Sequence, residues 1–347
     1  MVIGAMGLAA PLLAALLAQS PCAGTERVPS GKREPAEIAA LEARIEAAPE
    51  DAEARAGLVS EYARQSARDP GARGRALPHL LWLVTNCPRA AVLGTPIAGS
   101  MVAKDAETYH QVRALWLAAI DRNPQDTRVM LHTALFVGVN ELGFARQLLE
   151  RATAADAGCE RCWAQFGHVL ELLAHRTGAE ETQALYGRAL EAHERALALA
   201  GSERERFYGL AVAAKVAVAA GALDRARALA RELLDLAPKY KDDWNHGNAI
   251  HHGNLLLGRV ALREGRLDLA RQHLLAAGKT PGSPQLAAFG PSLGLAQELL
   301  DAGEAKAVRE YLDRCRKFWK RGRAQLKAWS EQIKQGERPD FGANALY

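Results

Sequence analysis

Aromatic residues are scarce in this 347-residue chain, at 6%, and runs of β-branched residues of strand length are nearly absent. With Ala and Leu dominating, that scarcity argues against a sheet and predicts an all-α chain. Neither sign of charge is in large excess. Lys and Arg number 44 against 40 Asp and Glu, a formal net charge of +4. Over this length, that excludes a whole-protein attraction to nucleic acid or anionic lipid, so any electrostatic argument must be local. No phosphate-binding P-loop, dinucleotide fingerprint, serine elbow or zincin motif occurs, and no cofactor is expected. Charge is missing from the start of the chain, where no charged side chain precedes Glu26. The apolar stretch over 2–18 is broken by Pro11 and is shorter than the roughly 20 residues of a spanning helix. Residues 1–22 therefore read as a signal peptide, with cleavage between Ser20 and Gly24, and the expected location is exported and periplasmic. Cys22 raises a lipid anchor as the alternative, against which Ser20-Pro21 is a poor approach.

Five cysteines stand at 22, 87, 159, 162 and 315. Cys159-Glu-Arg-Cys162 is the close pair. It has no preceding strand pattern and no second CxxC, so a loop disulfide or two free thiols is expected ahead of metal or redox work. Export would permit oxidation.

What is abundant is small and aliphatic side chains at helical spacing. After a polar linker over 23–35, that spacing continues to about residue 335. In the clearest unit, 254–282, Leu257-Gly258, Ala261, Gly265, Ala270, Leu274 and Ala277 place small residues where two antiparallel helices would touch, and Gly265 turns the chain. The preceding unit repeats the spacing with Ala214, Ala217, Gly221, Ala226, Ala230, Leu233 and Pro238. Second-helix anchors then recur at Ala76, Val112, Ala145, Ala189, Ala226, Ala270 and Val308, in steps of 36, 33, 44, 37, 44 and 38 residues.

These residues resemble the tetratricopeptide repeat family. The resemblance implies a right-handed α-solenoid of helical hairpins over 36–282, a last repeat with a basic capping helix over 283–335, and a tail over 336–347. It further implies that the exposed side of each first helix lines a concave groove, and that the work is non-catalytic binding of a protein or peptide segment.

The window Asn245 to Asn254, NHGNAIHHGN, sits in an insertion ahead of the clearest unit. Adjacent helical residues diverge by about 100°, so His251 and His252 point apart, and His246 is not at chelating distance from either on a straight helix. The best metal pair is Asp242 with His246, a low-ranking candidate, and it opens the alternative of a metal-binding or helical enzyme over 242–254. With a helix starting near Asp243, the residues Trp244, Asn248, His252, Leu255 and Arg259 form a stripe opposite Gly258 and Ala261. That stripe suits a peptide or small polar ligand. The segment 280–296 breaks the helices with Pro and Gly, and a pocket bounded by His251, His252 and this loop, including Phe289, is the expected site. Ser292 or its neighbour is expected to cap the next helix.

Residues 314–334 carry eight Lys or Arg against Glu331. A weak anionic-surface contact through Arg316, Lys317, Lys320, Arg321 and Arg323, with Trp319 and Trp329 inserting, is the alternative to a solvated cap. Specific nucleic-acid readout is not expected.

Overall fold

The computed structural model describes residues 22–346 except 97, 98, 100, 101, 103 and 104. The expected signal peptide thus lies outside the described residues apart from Cys22. Among the described residues there are seventeen α-helices, two short 3-10 turns and no strand, and the helices pack in consecutive pairs. The chain divides into two compact units, one ending at Asn140 and the other beginning at Glu141.

The first unit contains α1 (Pro35–Ala47), α2 (Ala52–Gln65), α3 (Gly71–Asn86), α4 (Ala106–Arg122) and α5 (Thr127–Val137). Asp51, Asp105 and Asp126 each accept a first-turn N–H, which fixes the starts of α2, α4 and α5. The residues expected to form a linker are tied down instead. Cys22 is disulfide-bonded to Cys87, the Thr25 carbonyl accepts the Ala91 N–H at 2.8 Å, and the Arg33 N–H reaches the buried Glu61 carboxylate at 3.3 Å. Polar composition alone suggested a linker, and these long-range partners tie it to the first unit.

The second unit contains α6 (Leu142–Ala155), then the pairs α7 (Glu160–Ala174) with α8 (Ala179–Leu199), α9 (Glu203–Ala219) with α10 (Leu223–Leu236), and α11 (His246–Arg263) with α12 (Leu267–Ala277). A short α13 (Pro284–Phe289) precedes the pair α14 (Gly294–Asp301) and α15 (Ala305–Cys315), followed by α16 (Arg323–Lys334) and α17 (Ala343–Leu346). All seven repeat anchors, from Ala76 to Val308, have no exposed surface. Three hairpins turn identically. Gly221, Gly265 and Gly303 have φ of 71°, 73° and 84°, and the next N–H returns to the carbonyls of Ala217, Ala261 and Leu299. This is the helix-ending motif that left-handed glycine permits without side-chain strain. Pro238 lies in the 3-10 turn Ala237–Tyr240, just past α10. At Gly258 a Cβ would stand 2.3 Å from Leu295 Cδ2 and 3.4 Å from the Ala270 carbonyl oxygen, so α11 meets its neighbours through a missing side chain.

The C-terminal tail folds back. Trp329 donates its indole N–H to the Asp340 carbonyl at 3.0 Å and packs edge-on against the buried Phe341. The Asn344 amide then brackets the Phe289 and Pro291 carbonyls at 3.0 and 2.9 Å.

Candidate functional site

The helix that carries the histidine window begins at His246 rather than near Asp243. Asp243 is drawn into another task. Its carboxylate accepts from the Tyr208 hydroxyl at 2.8 Å, Arg204 Nη2 at 2.6 Å and the Asn245 N–H at 2.8 Å. Burial alone would raise its pKa, but the Asn245, Tyr208 and Arg204 donors outweigh burial and hold it below the ordinary carboxylate value. This anchorage lays the Trp244 ring on Tyr208, with centroids 5.7 Å apart, and leaves Trp244 52% exposed.

Beneath Trp244 lies a cavity of about 430 Å³ between α9, α11 and the start of α14. Of the sequence-derived stripe, Trp244, Asn248, His252, Leu255 and Arg259 all line it, one helical face delivering four of them. Sequence reasoning missed the opposite wall, which consists of Tyr208, Ala211, Val212 and Lys215 on α9. A signal was present, because stepping back by the 44-residue anchor interval carries His252, Leu256 and Arg259 onto Tyr208, Val212 and Lys215. Gln285, Ser292 and Leu295 close the far end.

The 280–292 segment is positioned by α11. The Thr280 hydroxyl donates to the Gly247 carbonyl at 2.7 Å, and the Ser283 hydroxyl to Asn248 Oδ1 at 2.6 Å. Asn248 Nδ2 bridges Asn245 and Gln285 at 3.0 and 2.9 Å. Ser283 is the N-cap of α13, accepting the Leu286 N–H at 3.0 Å, whereas the N-cap of α14 is Leu293, the neighbour of Ser292, and makes no side-chain cap bond.

His251 is the principal correction to the expected site. It is fully buried behind the cavity wall. Its Nε2 accepts the Ser292 N–H at 3.1 Å, which places the proton on Nδ1, where it is donated to the Ala277 carbonyl at 3.2 Å. Burial, followed by the neighbouring His252, lowers its pKa to about 3. His251 thus fastens the loop to the helix and does not line the cavity. His252, one residue on, faces the cavity, and burial and the Lys215 charge lower its pKa to about 4. Phe289 is 68% exposed and lies outside the cavity lining, while its carbonyl is held by Asn344.

Two cations reach the cavity already partnered. Lys215 Nζ lies 3.2 Å from the Glu171 carboxylate, which also accepts from His193 Nε2 at 2.9 Å. Burial would raise the Glu171 pKa, but His193 and Lys215 bring it below the ordinary value. Arg259 Nη2 lies 3.3 Å from Glu298, and its buried Nε has no hydrogen-bond partner among the described residues. Glycine at 294 makes this possible, since a Cβ there would sit 2.2 Å from Arg259 Nη2. A second cavity of about 260 Å³ adjoins the first through Val212, lined by Glu160, His168, His193 and Glu205 among others.

The metal candidates diverge. Asp242 is exposed, whereas His246 Nδ1 turns inward to the Ala237 carbonyl at 2.9 Å. Among the described residues no three His, Cys, Asp or Glu gather into a group that could hold a metal ion. In the basic segment, Trp319 and Trp329 stack on each other at 6.2 Å and pack against the core, so neither ring is presented for insertion. Lys317, Lys320, Arg321 and Arg323 are exposed, and Arg316 pairs with Asp313 at 3.1 Å. No described helix is long and apolar enough to cross a membrane.

No protein-family model matches the chain, and no curated protein matches its sequence. The tetratricopeptide resemblance therefore rests on the repeat pattern and the paired helices.

Proposed function

We propose that the second unit is a right-handed, tetratricopeptide-like solenoid that binds an extended segment of another protein along its first helices, without catalysis. The single observation that carries this reading is the cavity between α9, α11 and α14. It is mostly apolar, walled by stacked Tyr208 and Trp244, and edged by the cations Lys215 and Arg259. Its size suits one or two side chains of a peptide, and its few placed polar groups suit orientation. An apolar side chain followed by a carboxylate is the ligand chemistry it favours. The adjoining cavity past Val212 supports a groove that continues along α7.

Export of the chain is part of the same reading. The two disulfides fit an oxidising compartment, and the pairing of Cys22 with Cys87 favours a mature chain that retains Cys22 over a lipid on its thiol. Secretion in a host strain, followed by fractionation, tests this. A crystal structure of the full chain tests the handedness.

The binding experiment uses a random peptide array probed with the wild type and Trp244→Ala. The expected result is a set of peptides, enriched in apolar and acidic residues, whose binding drops at least tenfold in the variant while its melting curve is unchanged. A wild-type set that Trp244→Ala binds equally well would remove the cavity from the function.

A further inference from the structure

The Cys159–Cys162 bridge takes no part in the cavity, and its setting differs from that of the other bridge in a way that bears on chemistry. It lies at the N-terminus of the 15-residue helix α7, where Cys159 is the N-cap residue and its Sγ accepts the Cys162 N–H at 3.2 Å. The Cys22–Cys87 bridge lies instead at a helix C-terminus. Cys87 is the C-cap of α3, and Cys22 Sγ is 3.3 Å from the Asn86 carbonyl oxygen. A thiolate is stabilised by the amides of a helix start and repelled by the carbonyls of a helix end. Asp156, Glu160 and Arg161 flank the first bridge in sequence, whereas Cys22–Cys87 lines a cavity with Glu26, Arg89, Arg122 and Arg128, whose net positive charge opposes the effect of the helix end there.

Access does not separate the two bridges, since Cys22 is partly exposed and Cys87 buried, but within the first bridge it sets which sulfur a partner can reach. Cys159 is partly exposed, whereas Cys162 has no exposed surface. The loops closed are unequal, with sequence separations of 3 and 65. In the chain-entropy model stabilisation grows with the logarithm of loop length and the folded-to-unfolded ratio as its 3/2 power, so the longer loop contributes about a 100-fold larger factor to that ratio. The short loop therefore contributes the smaller share of stability.

We propose that Cys159–Cys162 is a thiol–disulfide exchange site, with Cys159 the sulfur that meets the thiol of a second molecule and Cys162 the resolving sulfur. The partner thiolate attacks Cys159 Sγ, the bridge breaks, and Cys162 leaves as a thiolate at the helix start. A second partner thiol then attacks the mixed disulfide and releases Cys159. The bridge gains two electrons and two protons and becomes a dithiol, while two partner thiols become one disulfide.

The test equilibrates the oxidised full chain in graded glutathione redox buffers, with dithiothreitol as a parallel dithiol probe, then alkylates and maps the cysteines by mass spectrometry. Cys159–Cys162 should open at a reducing ratio at least tenfold milder than Cys22–Cys87, with the melting temperature of the opened protein within a few degrees of the starting value. Buried Cys315 should stay unalkylated as an internal marker of folding. In oxidised glutathione, Cys162→Ser should carry a mixed disulfide on Cys159, and Cys159→Ser should carry none on Cys162. The two bridges opening together, or glutathione appearing on Cys162 in preference to Cys159, would overturn the proposal.

Discussion

Replacing Gly247 by Ala puts the docking of the 280–292 loop to a direct test. A Cβ at this position would stand 1.8 Å from the Gly282 carbonyl oxygen and 2.4 Å from its carbon, so the obstacle is backbone and no rotamer change relieves it. The loop must move off the helix, which breaks the Thr280 bond to the Gly247 carbonyl and loosens the Ser283–Asn248 and Asn248–Gln285 bonds. Three hydrogen bonds at about 1 kcal/mol each oppose a helix-propensity gain of about 1 kcal/mol, and loss of loop packing adds to the deficit. A net destabilisation of about 2–3 kcal/mol results. For a unit of about 200 residues that is a fall in melting temperature of roughly 4–12 °C.

Gly187→Ala is the matched control. Gly187 lies within α8 with nothing within 4 Å of its Cβ position, so there the same methyl group should stabilise by up to about 1 kcal/mol. Circular dichroism melts of both variants, with hydrogen exchange of the 280–292 amides, give the comparison. If Gly247→Ala melts at or above the wild-type temperature, the loop does not rest on α11 as described.

Three further outcomes follow from the same contacts. His251→Leu leaves the Ser292 N–H and the Ala277 carbonyl unpaired inside the protein and should cost about 2–5 kcal/mol in denaturant unfolding. Because the pKa of His251 is depressed to about 3, the unfolded chain binds its proton first as acid is added. Stability is therefore full above about pH 6.5 and declines toward pH 3 by at most about 1.4 kcal/mol per unit. Urea melts at several pH values should show this slope, and a flat profile contradicts the buried neutral ring. Glu171→Ala leaves the buried His193 donor unpaired, while the half-exposed Lys215 returns to water, and should destabilise the second unit by about 1–3 kcal/mol, whereas Trp244→Ala should leave the melt nearly unchanged. Equal melting of these two variants would mean that the Glu171 network is not buried as described.

The helical class, the hairpin turns at Gly221 and Gly265, and the stripe from Trp244 to Arg259 were legible because each depends on residues a few positions apart, where helical period and glycine conformation act. The α9 wall was half legible, hidden by an irregular repeat interval. His251 was misjudged because its role depends on Ala277 and Ser292, 26 and 41 residues away. Likewise, the polar stretch after Cys22 reads as a linker until Cys87 and Glu61 are placed beside it.

Taken alone, the order of residues determined that small side chains recur at helical spacing, and therefore that paired helices form. Only the tertiary structure decided which of two adjacent histidines faces the cavity and which is sealed behind it. A 100° step along a helix separates them, and a neighbouring loop, not local sequence, supplies the carbonyl and the N–H that claim the buried ring.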